Sequence, residues 1–350
     1  MRTLEATQSL TTTTERDLAS ETKLSVSVAL CTHNGARFLR EQLHSIFSQA
    51  YAPEEIVVSD DASRDDSIAT AREVAAEFGQ LHRKAPELQI IQNASPLGVV
   101  KNFEQAALAC RGDVIALSDQ DDLWRSDRLA RMTAEFERRP ELLLLHGDAR
   151  LIDTAGASLG RSLFNALEVK RAELDEIHRG AAFDALLRRN LATGATILFR
   201  RALLQYAAPF PTEWVHDEWL AIVAAAVGGV DVLEDSLLDY RQHAANQIGA
   251  RRETFMAKVR KATAPRGVRY RERAGKVEIL LARLLKFPES VKPGTIDKTR
   301  GKVAHQWFRA NLPSARLARC APVLREALTG RYGKFGRGVA YIIQDVLESA

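Results

Sequence analysis

The stretch SVSVALCTHNGARFLREQLHSIFSQ, residues 25–49, decides the fold. Its first six residues, Ser25–Leu30, form a short apolar run, β-branched at Val26 and Val28, and read as a buried strand. THNG breaks the run. Phe38, Leu39, Leu43, Ile46 and Phe47 then recur at helical spacing and put one apolar stripe on a helix. The alternation repeats downstream. IVVSDDAS runs from strand to polar loop, and Ile68, Ala71, Val74, Ala75 and Phe78 make the next stripe. LQIIQN is a third strand, GVVKNFEQAALAC a third helix and DVIALS a fourth strand. Such alternation over about 100 residues predicts right-handed βαβ units: an α/β fold whose mostly parallel sheet is flanked by helices.

Further along, LLLLHGDARLID and TGATILFR read as strands, residues 155–192 as mostly helical and charged, and HDEWLAIVAAAVGG as a helix ending in glycines. LLDYRQHAANQIG passes from strand to polar loop. Beyond Gly249 strand signals nearly vanish and basic helical stretches, KVEILLARLLKF and LARCAPVLREAL, take over. This divides the chain into a flexible lead-in (1–24), an α/β domain (25–250) and a basic, mostly helical C-terminal region (251–350).

Charge follows the same division. Residues 251–350 carry 23 Lys and Arg against 8 Asp and Glu, whereas the first 250 carry 26 against 37. A basic tail on an acidic body points to an anionic partner, and an anionic membrane surface is the reading adopted here. The tail has no nucleic-acid motif, so no nucleic acid is expected as partner. Cys31, Cys110 and Cys320 lack metal-ligand spacing, which argues against a disulfide framework or zinc site. No signal-peptide core or apolar run of about 18 residues is present, so the expected location is the cytoplasm, with peripheral contact at the inner face of the cell membrane.

The chemistry is expected at the carboxyl ends of the strands, where open α/β sheets gather ligands. Asp60 and Asp61 end the second strand, and Asp119, Asp121 and Asp122 end the fourth in SDQDD. Crowded carboxylates repel one another at close range, and a divalent cation relieves that repulsion. Mg²⁺ or Mn²⁺ typically takes one or two protein carboxylates and completes its shell with substrate phosphates. The spacing does not fit an EF-hand, which needs a central Gly and a twelfth-position Glu. HDEW places Asp217 at the start of a helix, where the macrodipole favours the ionised form.

In this order, VSVALCTHNG, VVSDDAS, ASPLGVVKNFEQA, ALSDQDDLW, TGATILF, HDEW and YRQHAANQIG resemble the family 2 inverting glycosyltransferases of GT-A fold. The SDQDDLW, HDEW and YRQH forms are most similar to the rhamnosyltransferase-like branch. The resemblance covers about Ser25 to Gly249 and implies a metal-dependent enzyme. Its donor would be a nucleotide-diphosphate sugar, with dTDP-L-rhamnose as a candidate, and its acceptor a glycan or lipid-linked glycan. It implies that Asp61 meets the base beside the loop of Thr32, His33 and Asn34, and that Gly98, Lys101 and Asn102 lie along the nucleotide and diphosphate. It puts Asp119 near the ribose, Asp121 on the metal with Asp122 in support, and Asp217 in the role of catalytic base. Thr193, Gly194, Glu218 and Trp219 would border the acceptor, while Arg241, His243 and Asn246 would sit in a loop closing over the diphosphate. The chain departs from the family at Cys31 and His33, and at His216, where an acid is usual. A metal-dependent phosphate-handling hydrolase and a catalytically inactive glycan- or membrane-binding scaffold are the alternatives.

Overall fold

The computed structural model describes residues 23–82, 85–243 and 266–348, with side chains from residue 269 in the last segment. Residues 1–22 of the lead-in, Asn246 and the expected boundary near residue 250 lie outside the described residues.

The first half of the α/β domain runs β1 (Val26–Thr32), α1 (Ala36–Phe47), β2 (Glu55–Asp60), α2 (Ser67–Leu81), β3 (Glu87–Gln92), α3 (Val99–Ala109) and β4 (Val114–Ser118). These four strands pair in parallel in the order β3-β2-β1-β4. Every residue of β1 is buried, and strand alternation divides its side chains between two cores. Val26, Val28 and Leu30 pack with Leu39, Leu43 and Ile46 of α1 on one face. Ala29 and Cys31 pack with Phe103, Ala106 and Ala107 of α3 on the other. A central strand covered on both sides needs this continuous apolar composition.

After β4 the chain forms β5 (Leu123–Trp124), α4 (Arg128–Arg138), β6 (Leu142–Ile152), β7 (Ser158–Ser162), α5 (Leu163–Ala166), α6 (Arg171–Glu176), α7 (Ala182–Arg188), β8 (Leu198–Arg200), α8 (Leu204–Ala207), α9 (His216–Val227) and β9 (Gly229–Arg241). The sheet continues β4-β8-β6-β9-β5, with β7 paired to β6. β8, β5 and β7 run antiparallel to their neighbours. Residues 155–192 thus include a strand as well as helices. β7 has the sequence SLGRS and is mostly exposed, so its pairing with β6 is a tertiary effect without a periodic apolar signal. TGATILFR begins as a 3-10 turn over Gly194–Thr196, and only Leu198–Arg200 is strand.

The described C-terminal part is helical: α10 (Arg266–Leu284), α11 (Thr295–Ala310), α12 (Arg316–Leu328), α13 (Arg331–Phe335) and α14 (Val339–Leu347). Helix α10 closes the main core, with Leu280 and Leu284 buried among residues of α3 and α9. Arg283 donates to the carbonyls of Tyr206, Ala207, Ala208 and Pro209, which satisfies the exposed end of α8. The apolar stripe of VEILLARLLKF therefore faces the main core of the protein. Among the described residues no helix is long and apolar enough to cross a membrane.

Candidate active site

Because β1, β2 and β4 are parallel, their carboxyl ends bring Thr32, Asp61 and Asp119 to one edge of the sheet. Gln120 locks this edge. Its Oε1 accepts from Thr32 Oγ1 and from the His33 N–H, both at 2.8 Å. Gly35 makes room for the lock, since a Cβ there would lie 2.3 Å from Gln120 Oε1. His33 Nδ1 contacts the Asp61 carbonyl at 2.6 Å, and Asn34 accepts from the Arg64 N–H.

Asp61 accepts from the N–H groups of Leu97 at 2.6 Å and Gly98 at 3.0 Å. It thereby pins the loop entering α3 against the end of β2. Asn102 is tied to Ser59, donating to its carbonyl and accepting from its hydroxyl, yet still borders the cleft. Lys101 turns away: its ammonium bonds Glu104 and the Phe210 carbonyl, and it does not line the cleft.

SDQDD divides into separate roles. Asp119 is pushed up to about 7, first by burial and then by the charges of Asp121 and Asp217. Asp121 is raised by burial, and His243 opposes the shift through a 2.6 Å contact between Nε2 and Oδ2. The His243 ring stacks on Phe38 at 5.3 Å. Asp122 is 1% exposed and outside the cleft lining. It accepts from the Arg241 N–H and faces the charge of buried Arg128. Through that bond Asp122 anchors the end of β9, and its other carboxylate oxygen has no protein partner. Arg241 is equally internal. Its guanidinium bonds the carbonyls of Asp121 and Thr154 and pairs with Glu41, so it braces the acidic loop from beneath.

Asp217, in the first turn of α9, is 7% exposed. It accepts from the N–H groups of Glu218 at 2.5 Å and Gly194 at 3.0 Å, with Asn190 Nδ2 at 3.4 Å. Burial outweighs these donors and pushes it up to about 6, against the expectation that the helix N-terminus would hold it low. Glu218 pairs with Lys276 at 2.5 Å and lies outside the cleft lining. Trp219 is fully buried, its indole N–H bonding the Ala207 carbonyl. Trp219, expected at the acceptor, lies outside the cleft lining, turned into the core one step along the helix.

His216 is a residue that sequence reasoning noted without assigning. Its ring stacks on Phe103 with centroids 3.9 Å apart, and both ring nitrogens lack a protein partner. Burial pushes it down to about 3, so it is neutral at physiological pH. Gly194 admits this ring, since a Cβ there would lie 2.7 Å from Nε2.

A cavity of about 820 Å³ joins these parts, lined among others by Thr32, Asp119, Asp121, Thr193, Gly194, His216, Asp217 and His243. A second, of about 890 Å³, shares His33, Asn34 and Pro96 with it and extends past Ser63, Arg64 and Asn93. No three His, Cys, Asp or Glu side chains gather into a metal cage among the described residues. The donor set is open: one carboxylate and one imidazole, Asp121 and His243, with Asp119 adjacent. That suits a hard cation that fills its shell from substrate phosphates.

The fold and this edge define an α/β protein of GT-A type, with acidic loops at the carboxyl ends of a parallel sheet. The family model for Glycosyl transferase family 2 matches residues 27–194 of the chain. An uncharacterized protein of Mycobacterium tuberculosis is 29% identical over 222 residues, 63% of this chain and 59% of that protein. The match thus spans about three fifths of that relative's length. An uncharacterized glycosyltransferase of Nostoc sp. is 28% identical over 236 residues, 64% of this chain and 66% of that protein. The structure of Staphylococcus aureus TarS in complex with UDP-GlcNAc aligns with TM-score 0.50 at 18% identity, covering 92% of this chain and 90% of that one.

Proposed function

We propose that the chain transfers a sugar, with inversion, from a nucleotide-diphosphate donor to a hydroxyl of a glycan or lipid-linked glycan in bacterial surface polysaccharide assembly. The observation that carries this reading is that Asp119 and Asp121, from the loop after β4, and Asp217, from the first turn of α9, line one cleft of about 820 Å³. The Nostoc relative, named a glycosyltransferase, and the UDP-GlcNAc held by TarS support it. The resemblance of SDQDDLW, HDEW and YRQH makes dTDP-L-rhamnose the first donor to test. A lipid-linked acceptor would place the reaction at the cytoplasmic face of the membrane.

The β1 and β2 ends receive the nucleotide, and Asp119 faces its ribose. Asp121 and His243 would hold Mg²⁺ or Mn²⁺, which when bound supplies Lewis-acid neutralisation of the diphosphate. Asp217 takes the proton from the acceptor hydroxyl. The acceptor oxygen bonds the anomeric carbon as the bond to the diphosphate breaks, and this single displacement inverts that carbon. A base at about 6 is ionised at neutral pH yet basic enough to assist an alcohol. The unpartnered nitrogens of His216 offer hydrogen bonds to a sugar hydroxyl beside it.

The test is release of nucleoside diphosphate from a panel of nucleotide sugars, with and without Mn²⁺ and candidate acceptors. Release that requires metal and forms a glycoside supports transfer. Orthophosphate release would instead identify a phosphate-handling hydrolase, and no turnover with any donor would favour a binding scaffold.

A further inference from the structure

Six of the eleven exposed large hydrophobic side chains among the described residues fall within residues 317–347. On α12 they are Leu317, Leu324 and Leu328, at 89%, 63% and 81% exposure. Steps of seven and four residues keep them on one helical face. On α14 they are Val339, Ile343 and Leu347, four residues apart and again along one face. The two helices meet on their other sides, where Val323 and Tyr332 pack with Ile342 and Val346.

The charges of this segment are sorted by depth. Its three acids, Glu326, Asp345 and Glu348, are all buried. Asp345 is engaged by Arg309, Tyr270 and Tyr332, and Glu326 by His305. Arg319 is buried too, donating to the Asp345 and Glu348 carbonyls and so tying α12 to the end of α14. The exposed charges are Arg316, Arg325, Lys334 and Arg337. Residues 311–348 therefore present apolar ridges among cations, with no exposed acid.

We infer that α12 and α14 form a docking surface for an anionic lipid bilayer. Leu and Ile side chains enter the headgroup–acyl boundary while Arg and Lys meet lipid phosphates, the pairing that binds interfacial helices to anionic membranes. A protein partner matched to this surface would need both acids and apolar sockets, whereas one anionic leaflet supplies both at any lateral position. Docking requires neither donor nor acceptor, so it stands or falls separately from the transfer reaction.

The test is co-sedimentation of the full chain with vesicles of phosphatidylglycerol and phosphatidylcholine against vesicles of phosphatidylcholine alone. Four exposed cations predict at least about tenfold greater recovery on the anionic vesicles, reduced in high salt. Leu324→Ser with Leu328→Ser, and separately Ile343→Ser, should each lower that recovery several-fold with an unchanged circular dichroism spectrum and melting temperature. Equal recovery on both vesicle types would overturn the inference, as would variants that bind like the parent. Concentration-dependent self-association removed by the same leucine substitutions would also overturn it, because the surface would then join two copies of this chain.

Discussion

Replacing Asp217 with Asn separates the base from the fold in a way that can be worked out beforehand. The folded carboxyl lies at about 6 against an ordinary 3.8, raised by burial. An acid with a raised folded value binds its proton more tightly folded than unfolded. Its contribution to stability is therefore greatest below 3.8 and declines as pH rises to about 6. Relative to its protonated form, the buried carboxyl costs about 3 kcal/mol at about pH 7.5, where it is ionised, and roughly half that at about pH 5, where it is mostly protonated in the folded state. The uncharged amide of Asp217→Asn carries no such pH dependence. It also meets a backbone N–H that the carboxylate accepted, a penalty of about 1–3 kcal/mol that is the same at both pH values. The stability of the Asn variant relative to the parent should thus improve by between about 1 and 2 kcal/mol between about pH 5 and about pH 7.5. Urea unfolding of both proteins at the two pH values measures this, and transfer should be abolished throughout. Identical pH slopes in the two proteins would refute the burial argument, and a variant that still transfers at the parent rate would remove Asp217 as the base.

Glu218→Gln should keep turnover within about twofold, because its partly exposed pair with Lys276 contributes at most about 1 kcal/mol; a loss like that of Asp217→Asn would make Glu218 the base. Gln120→Ala removes the acceptor shared by Thr32 and His33 and should raise the donor KM about tenfold, two hydrogen bonds being worth about 0.5–1.5 kcal/mol each, with kcat nearly unchanged. Gly194→Ala should destabilise by about 1–3 kcal/mol through the clash with His216, and adding His216→Ala should recover part of that loss in thermal melts. His243→Ala removes one of the two proposed metal ligands, which should weaken Mn²⁺-dependent nucleotide binding, and also the group that opposes the upward shift of Asp121. Since a protonated Asp121 cannot ligate, Mn²⁺-dependent nucleotide binding should move to higher pH, as read by calorimetric titration across the acid range.

The sequence reading reached the frame because β1, β2 and β4 are short apolar runs that end abruptly in polar residues. Asp119 and Asp121 follow β4 directly, so their place at the sheet's carboxyl edge was legible for the same reason, and Asp217 was placed by the helix start in HDEW. Side-chain direction within a loop or on a fully buried helix was not. Asp122 differs from Asp121 by one position, and only its bond to the Arg241 N–H, more than a hundred residues away, shows that it points inward. Helix α9 is buried on nearly every side from His216 to Ala226, so periodicity could not assign Trp219 to a face. The lock by Gln120 depends on two strands meeting, and the unpartnered ring of His216 depends on the absent side chain of Gly194. In the basic tail both helical stretches looked amphipathic. Only packing distinguishes α10, whose stripe closes the core, from α12, whose leucines remain outside.

The central claim is that the carboxyl edge of the sheet binds a nucleotide diphosphate through Asp121 and a divalent cation, with Asp217 acting only on the acceptor. Calorimetric titration of a nucleoside diphosphate, with and without Mn²⁺, tests it on the parent, Asp121→Asn and Asp217→Asn proteins. The account predicts metal-dependent binding of equal strength in the parent and Asp217→Asn, and at least about tenfold weaker in Asp121→Asn, the loss of a charged interaction worth about 1.5–3 kcal/mol. Binding by Asp121→Asn as tight as the parent's, or binding indifferent to Mn²⁺, would contradict it.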